Sequence, residues 1–225
     1  MTYYASIDTA RSFLREHVLE TFKDETRPER WGKPDESTAT GHFSLLLLCF
    51  AHLYALAGLH KGTKDTKPKH VIEFVEKYLP TYAKISSFLI DIYRHGVVHQ
   101  RQPKSIEVDG LIVSWLIDRG KSREKHLALV RKSWLTGQPT NEKTILVSVQ
   151  LDILYHDIVC AGKAFADDTD EDDNLAETVR QGIEQSQTPQ KSHNYVDCRV
   201  PWLKIQVDQL PKECPDIWSE NADAT

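Results

Sequence analysis

The stretch "DIYRHGVVHQRQPK", residues 91–104, brings together side chains that can handle both phosphate charge and protons. Arg94 carries a planar guanidinium that matches a phosphate in a bidentate contact, and His95 and His99 can exchange a proton near neutral pH. Metal-free RNA cleavage needs both abilities. A histidine assists the attack of a ribose 2′-hydroxyl on the neighbouring phosphate, and an arginine stabilises the charge that develops there. A site of this kind would select RNA, because DNA lacks the attacking hydroxyl.

The segment Arg94-His95-Gly-Val-Val-His99 resembles the R-x(4–6)-H motif of the HEPN superfamily, which includes toxins and defence-associated nucleases. The resemblance covers this motif and its helical setting. It implies a helical bundle, metal-independent cleavage of single-stranded RNA without a cofactor, and a paired site in a homodimer, with room for a regulatory protein partner. Arg94 would hold the scissile phosphate, His99 would transfer protons, and His95 would fill the supporting polar position. The superfamily also contains modules that bind without cleaving.

Two other arginine–histidine pairs share this spacing, namely Arg11 with His17 and Arg119 with His126. Arg94 differs because a polar residue follows it and because Gly96 would let a ligand or another backbone approach closely. Its segment also lies on an amphipathic helical pattern, whereas the first rival lies on a charged helix face and the second spans a loop. These differences favour Arg94 and His99 over the other two pairs as the candidate site.

Three other interpretations of these residues remain open. Basic side chains near a helix C-terminus stabilise the helix dipole and cap free carbonyl groups, so Arg94 to His99 would then only end a helix before Pro103. Alternatively, Asp91, His95 and His99 fall at i, i+4 and i+8 on one helical face, with the His-x-x-x-His spacing of zinc sites. The third alternative is a non-catalytic RNA or protein interaction module of the same architecture.

Composition predicts a soluble cytoplasmic protein. The 225 residues are 40% hydrophobic and carry a net charge of -5. Six of the 33 acidic residues lie in "DDTDEDD", residues 167–173, so basic surfaces remain available in 61–70 and 119–126. The apolar run around Leu45–Leu59 is broken by histidine, and the N-terminal residues do not match a secretory signal. The four dispersed cysteines predict reduced thiols.

Apolar residues at helical spacing predict helices over Ile7–Phe22, with Asp8 or Thr9 as N-cap, and over a long segment that follows Ser37 or Thr38. Pro80 should separate a helix over 69–79 from another over 81–99. A further helix is expected from about residue 144, with strand character at 145–149, and a polar helix at 174–184 after an acidic loop.

Asp109-Gly110 between β-favouring runs predicts a hairpin, to which residues 125–134 would add a third antiparallel strand. The expected fold class is mainly α, a helical bundle with a small antiparallel β insertion (α+β overall). We expect one domain over 1–225, with a helical core at about 5–100 and 145–188, the insertion at about 104–135 and an irregular tail over 189–225.

Overall fold

The computed structural model describes residues 6–25, 42–91, 105–118, 126–127, 129–130 and 144–187. This part of the chain is mostly helical and carries one small sheet, so the predicted mainly α fold with a small β insertion is confirmed. The predicted tail over 189–225 and the predicted N-cap at Ser37 or Thr38 lie outside the described residues.

The helices form the larger part of the described structure. In chain order they are α1 (Ile7–Ser12), a π-helical stretch (Phe13–Leu19), α2 (Glu20–Glu25), α3 (His42–His60), α4 (Pro68–Tyr78), a 3-10 stretch (Pro80–Ile85), α5 (Ser86–Leu89), α6 (Leu151–Glu171) and α7 (Asp173–Gln187). In the described part of the chain, no helix combines the length and apolar character needed to cross a membrane.

The first predicted helix is confirmed, but its N-cap is two or three residues earlier than expected. Ser6 is the N-cap, because its Oγ accepts a hydrogen bond from the backbone N–H of Thr9 at 3.2 Å. Asp8 instead lies in the first turn, where a negative charge stabilises the helix dipole.

The long helix α3 forms the centre of the core. A helix that is apolar on every side must be buried on most of them, and α3 packs against α4, α6 and α7. Its fully or nearly buried side chains are Leu45, Leu46, Cys49, Phe50, Leu53, Leu56 and Ala57.

The helix predicted over 81–99 begins differently from the prediction. Leu79 leaves helical geometry at φ −132 and ψ 57, and Pro80 opens a 3-10 stretch instead of an α-helix. A second break at Ile85, φ −123 and ψ 8, precedes the short helix α5. Pro80 restricts Leu79 to non-helical backbone angles, which explains why α4 ends at Tyr78. The remainder of this prediction, 92–99, lies outside the described residues.

The sheet contains strands β1 (Ile106–Val108), β2 (Leu111–Asp118), β3 (Leu129–Val130) and β4 (Thr144–Gln150) in the spatial order β1-β2-β4-β3. The predicted hairpin is confirmed, with Asp109 at φ 52 and Gly110 at φ 74 as the two-residue turn requires. The expectation of a purely antiparallel sheet is wrong, because β2 and β4 pair in parallel. The stretch 145–149, which was ambiguous between helix and strand, belongs to β4.

The acidic run at 167–173, expected to be a loop, is helical on both sides of Asp172. It forms the last turn of α6 and the start of α7. Acidic side chains at a helix C-terminus interact unfavourably with the helix dipole. Here two arginines from the helical residues 7–25 offset this effect by pairing with the acidic side chains. Arg15 forms ion pairs with Asp167, at 2.7 Å, and with Asp170. Ion pairs with residues distant in the chain thus stabilise a helix that the local sequence disfavours.

Candidate functional site

Arg94, His95 and His99 lie outside the described residues, and the structure describes the helix that leads to them as far as Asp91. Ile90 is buried, with 3% of its surface exposed, while Asp91 is exposed. Among the described residues, no group of three or more His, Cys, Asp or Glu side chains is arranged to hold a metal ion. The zinc alternative, which needs His95 and His99 beside Asp91, remains a prediction.

The start of the candidate segment is anchored in the core. Leu89 and Ile90 line a small apolar cavity together with Phe50 and Leu53 of α3 and Leu154 of α6. Buried apolar side chains of this size each stabilise their position by about 1.5 to 3 kcal/mol. The two residues that precede Asp91 are therefore fixed against both central helices.

The rival pair Arg11 and His17 has structural roles. The Arg11 Nη2 donates to Asp173 at 2.7 Å, and its Nε donates to the carbonyl oxygen of Thr169 at 3.0 Å. The hydrogen bond to Asp173 raises the pKa of Arg11. His17 is exposed and its ring lies 5.3 Å from the ring of Phe13. The Arg11 guanidinium is thus already occupied by carboxylate and carbonyl oxygens, which compete with any phosphate.

The second rival contains His126, and both of its ring nitrogens have partners. Nδ1 accepts the backbone N–H of Gln150 at 3.0 Å, and Nε2 lies 2.7 Å from the hydroxyl of Tyr82. The same hydroxyl donates to Oδ2 of Asp157 at 2.7 Å. Arg119, the other member of this pair, lies outside the described residues.

These contacts fix the protonation state of the His126 ring. Because Nδ1 accepts a backbone N–H, it carries no proton, and the neutral ring must then carry its proton on Nε2. Nε2–H donates to the oxygen of Tyr82, and the Tyr82 O–H donates to Asp157. Each group therefore donates to the next along a chain of hydrogen bonds that begins at the end of β4 and ends at Asp157 on helix α6.

Burial controls the electrostatics of this Tyr82–His126–Asp157 network. Burial lowers the pKa of His126, and the carboxylate of Asp157 opposes that effect. Burial and the hydrogen bond to Asp157 raise the pKa of Tyr82, so its hydroxyl keeps its proton across the physiological range. The neutral imidazole and the neutral phenol are thus the stable forms near pH 7.

Sequence reasoning did not single out Tyr82, and it considered His126 only as a loop histidine. Asp157, whose side chain is 34% exposed, accepts from Tyr82. Residues 82, 126 and 157 are far apart in sequence, and no local pattern joins them.

One of the two candidate basic segments, 61–70, lies wholly among the described residues. Lys64, Lys67 and Lys69 are exposed in and beside the turn that joins α3 to α4. Lys61, at the start of that turn, pairs with Glu73 at 2.5 Å. These exposed lysines lie in and beside a surface turn, so segment 61–70 stays a candidate basic surface. The other basic segment, 119–126, is described only at His126.

Comparisons of this chain with models of protein families, with curated proteins and with solved structures found no match. Its function must therefore be inferred from its own residues.

Proposed function

We propose that the chain is a metal-independent endoribonuclease of the HEPN type, which cleaves single-stranded RNA at a site shared by two protomers. The observation that carries the proposal is the motif Arg94-His95-x-x-x-His99, which follows a helical segment anchored in the core. Arg11 and His126, which belong to the other two motif matches, already have hydrogen-bond partners in the fold. This supports the choice of the match at Arg94 and His99.

In the proposed reaction, His99 accepts the proton of a ribose 2′-hydroxyl while that oxygen bonds to the adjacent phosphorus. The bond from phosphorus to the 5′-oxygen breaks, and this oxygen takes up a proton from the symmetry-related His99. The products are a 2′,3′-cyclic phosphate and a free 5′-hydroxyl. Arg94 stabilises the additional negative charge on the phosphoryl oxygens, and His95 supports its position.

A cytoplasmic location agrees with this proposal. Cys49 and Cys160 are both free thiols, as is usual in a reducing compartment. Burial raises the pKa of Cys49 to about 12, so this thiol stays protonated and unreactive.

The proposal is tested with the purified full-length chain, labelled single-stranded RNA and EDTA. We expect cleavage that leaves a 2′,3′-cyclic phosphate, and we expect a single 2′-deoxy substitution to block cleavage at that position. Arg94→Ala and His99→Ala should each abolish cleavage. His17→Ala is the matched control, because it removes an exposed histidine from a rival match, and it should cleave normally.

Two results would contradict the proposal. One is cleavage that survives the loss of both Arg94 and His99, because the activity would then come from another site or a contaminant. The other is cleavage that stops in EDTA and returns with Zn²⁺, which would favour the site formed by Asp91, His95 and His99. RNA binding without cleavage by the wild-type chain would favour the non-catalytic module.

A further inference from the structure

The Tyr82–His126–Asp157 network connects three parts of the described structure. Tyr82 lies in the 3-10 stretch, His126 lies in the turn before β3, and Asp157 lies on α6. Beside the network, an apolar groove of about 380 Å³ separates Ile85 and Phe88 from the sheet. The network thus joins the 3-10 stretch to α6 and to the end of β4 beside this groove.

The turn that presents His126 has an unusual backbone. Leu127 adopts φ 57, a conformation that residues with a side chain rarely take. Its N–H donates to the carbonyl oxygen of Ser148 at 2.7 Å, next to the bond from Gln150 to His126. Two hydrogen bonds to β4 therefore hold a turn that would otherwise relax to a different conformation.

Only one protonation state satisfies every polar atom of the network. The neutral ring accepts at Nδ1, because the backbone N–H of Gln150 can only donate, and its proton is then on Nε2, which donates to Tyr82. A second proton can be added only at Nδ1, where it would face the N–H of Gln150. The charged ring therefore loses one hydrogen bond and gains a repulsive donor–donor contact.

We propose that Tyr82, His126 and Asp157 form a proton-controlled latch that holds the 3-10 stretch and α5 to β4 and α6 while His126 is neutral, and releases them when Nδ1 takes up a proton. Among the described residues, the titratable groups that face the ring are Tyr82 from the 3-10 stretch and Asp157 from α6. β4 contributes the backbone N–H of Gln150 to the ring, and Cys49 of α3 acts electrostatically on Tyr82. His156 lies on the exposed side of Asp157, 3.8 Å away.

The direction of the pH dependence follows from linkage. The closed latch lowers the pKa of His126, whereas a released histidine titrates near about 6.5. The latch is therefore fully closed above about pH 6.5, and the closed state loses up to about tenfold in relative population for each pH unit below it. The relative population of the closed state falls no further once the pH is below the lowered pKa that His126 has in the closed latch.

The latch also bears on the candidate site. Asp91 is three residues before Arg94, and α5 ends two residues before Asp91. Release of α5 would loosen the start of the segment that carries Arg94, so acid would reduce RNA cleavage. This last step rests on the proposed function, whereas the latch itself does not.

Amide hydrogen exchange of the full-length chain at pH 7.5 and pH 5.5, corrected for the intrinsic exchange rates, tests the latch. We expect protection in residues 80–91 to fall by up to about tenfold at pH 5.5 in the wild type. His126→Gln, which keeps a donor and an acceptor but cannot titrate, should remove that local fall. Tyr82→Phe should expose residues 80–91 at both pH values. Tyr78→Phe is the matched control, because the Tyr78 hydroxyl also donates to an aspartate, Asp168, while the contact of Tyr78 with a histidine, His60, is between rings and survives the substitution. This variant should behave as the wild type.

An unchanged protection of residues 80–91 at pH 5.5, or a fall that His126→Gln leaves in place, would overturn the latch. Should His126→Gln fail to fold, the imidazole ¹⁵N chemical shifts of the wild type decide. They must show an unprotonated Nδ1 at pH 7.5, and the opposite tautomer would overturn the proposal. If no variant cleaves RNA at either pH, the proposed ribonuclease fails while the exchange data still decide the latch.

Discussion

At the scale of residues, several partly buried polar groups of this protein share a hydrogen-bond partner, and removing a shared partner should have the largest effect. Tyr82 has two hydrogen bonds, to His126 and Asp157. The Tyr78 hydroxyl donates to Asp168 and also interacts with Lys77, but these two partners pair directly with each other at 2.8 Å. The two tyrosines therefore form a matched pair for measuring what a shared hydroxyl contributes.

Tyr82→Phe should lower the free energy of unfolding by about 1 to 3 kcal/mol, because two partly buried groups lose their partner at once. Tyr78→Phe should lower it by less than about 1 kcal/mol, since Lys77 continues to pair with Asp168. Urea denaturation of the two variants at pH 7.5 measures the difference. Equal effects would mean that the Tyr82 hydroxyl is not the shared partner.

His60 provides a second residue-scale prediction. Its ring packs edge-on against Phe74, Tyr78 and Phe165, and burial lowers its pKa to about 4. Because the folded-state pKa is below the unfolded value of about 6.5, the unfolded chain binds the proton first as the pH falls. Stability should be fully present above about pH 6.5 and should decline by up to about 1.4 kcal/mol per pH unit down to about pH 4.

His60→Phe should flatten this part of the stability curve while keeping an aromatic ring in the cluster. Within the described part of the chain, the buried Nδ1 of His60 has no hydrogen-bond partner, so the substitution removes no such bond. Chemical denaturation at several pH values between 4.5 and 7.5 tests it. A slope that is unchanged in the variant would assign the acid sensitivity to other groups.

At the scale of elements, the hairpin turn depends on backbone conformation. Gly110, at φ 74, occupies the left-handed region, and Asp109 does so at φ 52. Gly110→Ala should cost about 1 to 2 kcal/mol, because a Cβ is disfavoured there. Asp109→Asn should be nearly neutral, since asparagine is well tolerated in such turns. Thermal unfolding of both variants tests this. A loss of stability in Gly110→Ala alone indicates backbone strain, whereas a loss in both variants means that the turn is sensitive to any substitution.

The elements also show what sequence patterns can predict. The helical periodicity of Ile7–Phe22 and the Asp109-Gly110 turn are local signals, and both predictions were confirmed. The helical acidic run and the parallel pairing of β2 with β4 depend on residues distant in the chain, such as Arg15 with Asp170. The Tyr82–His126–Asp157 network is also non-local. Arg94, His95 and His99 lie outside the described residues, so the site predicted there remains a prediction.

At the scale of the whole molecule, the proposed site requires two copies of the chain. A protomer has a mass of 25.8 kDa, and light scattering at micromolar concentration should give about twice that value. The reason is that the two motifs must meet across a twofold axis to supply both the proton acceptor and the proton donor. A monomer at all concentrations tested would contradict the composite site.

The parallel pairing of β2 with β4 has a consequence for synthesis of the chain. The hairpin β1–β2 is complete once Asp118 has been synthesised. β4, which pairs with the other edge of β2, is complete only at Gln150. At usual translation rates the intervening residues take a few seconds to make, and for that time the segment "LIVSWLI" has an open edge. Apolar open edges are templates for pairing with other chains. Nascent β2 should therefore be the segment that chaperones protect and that aggregates when synthesis outpaces them.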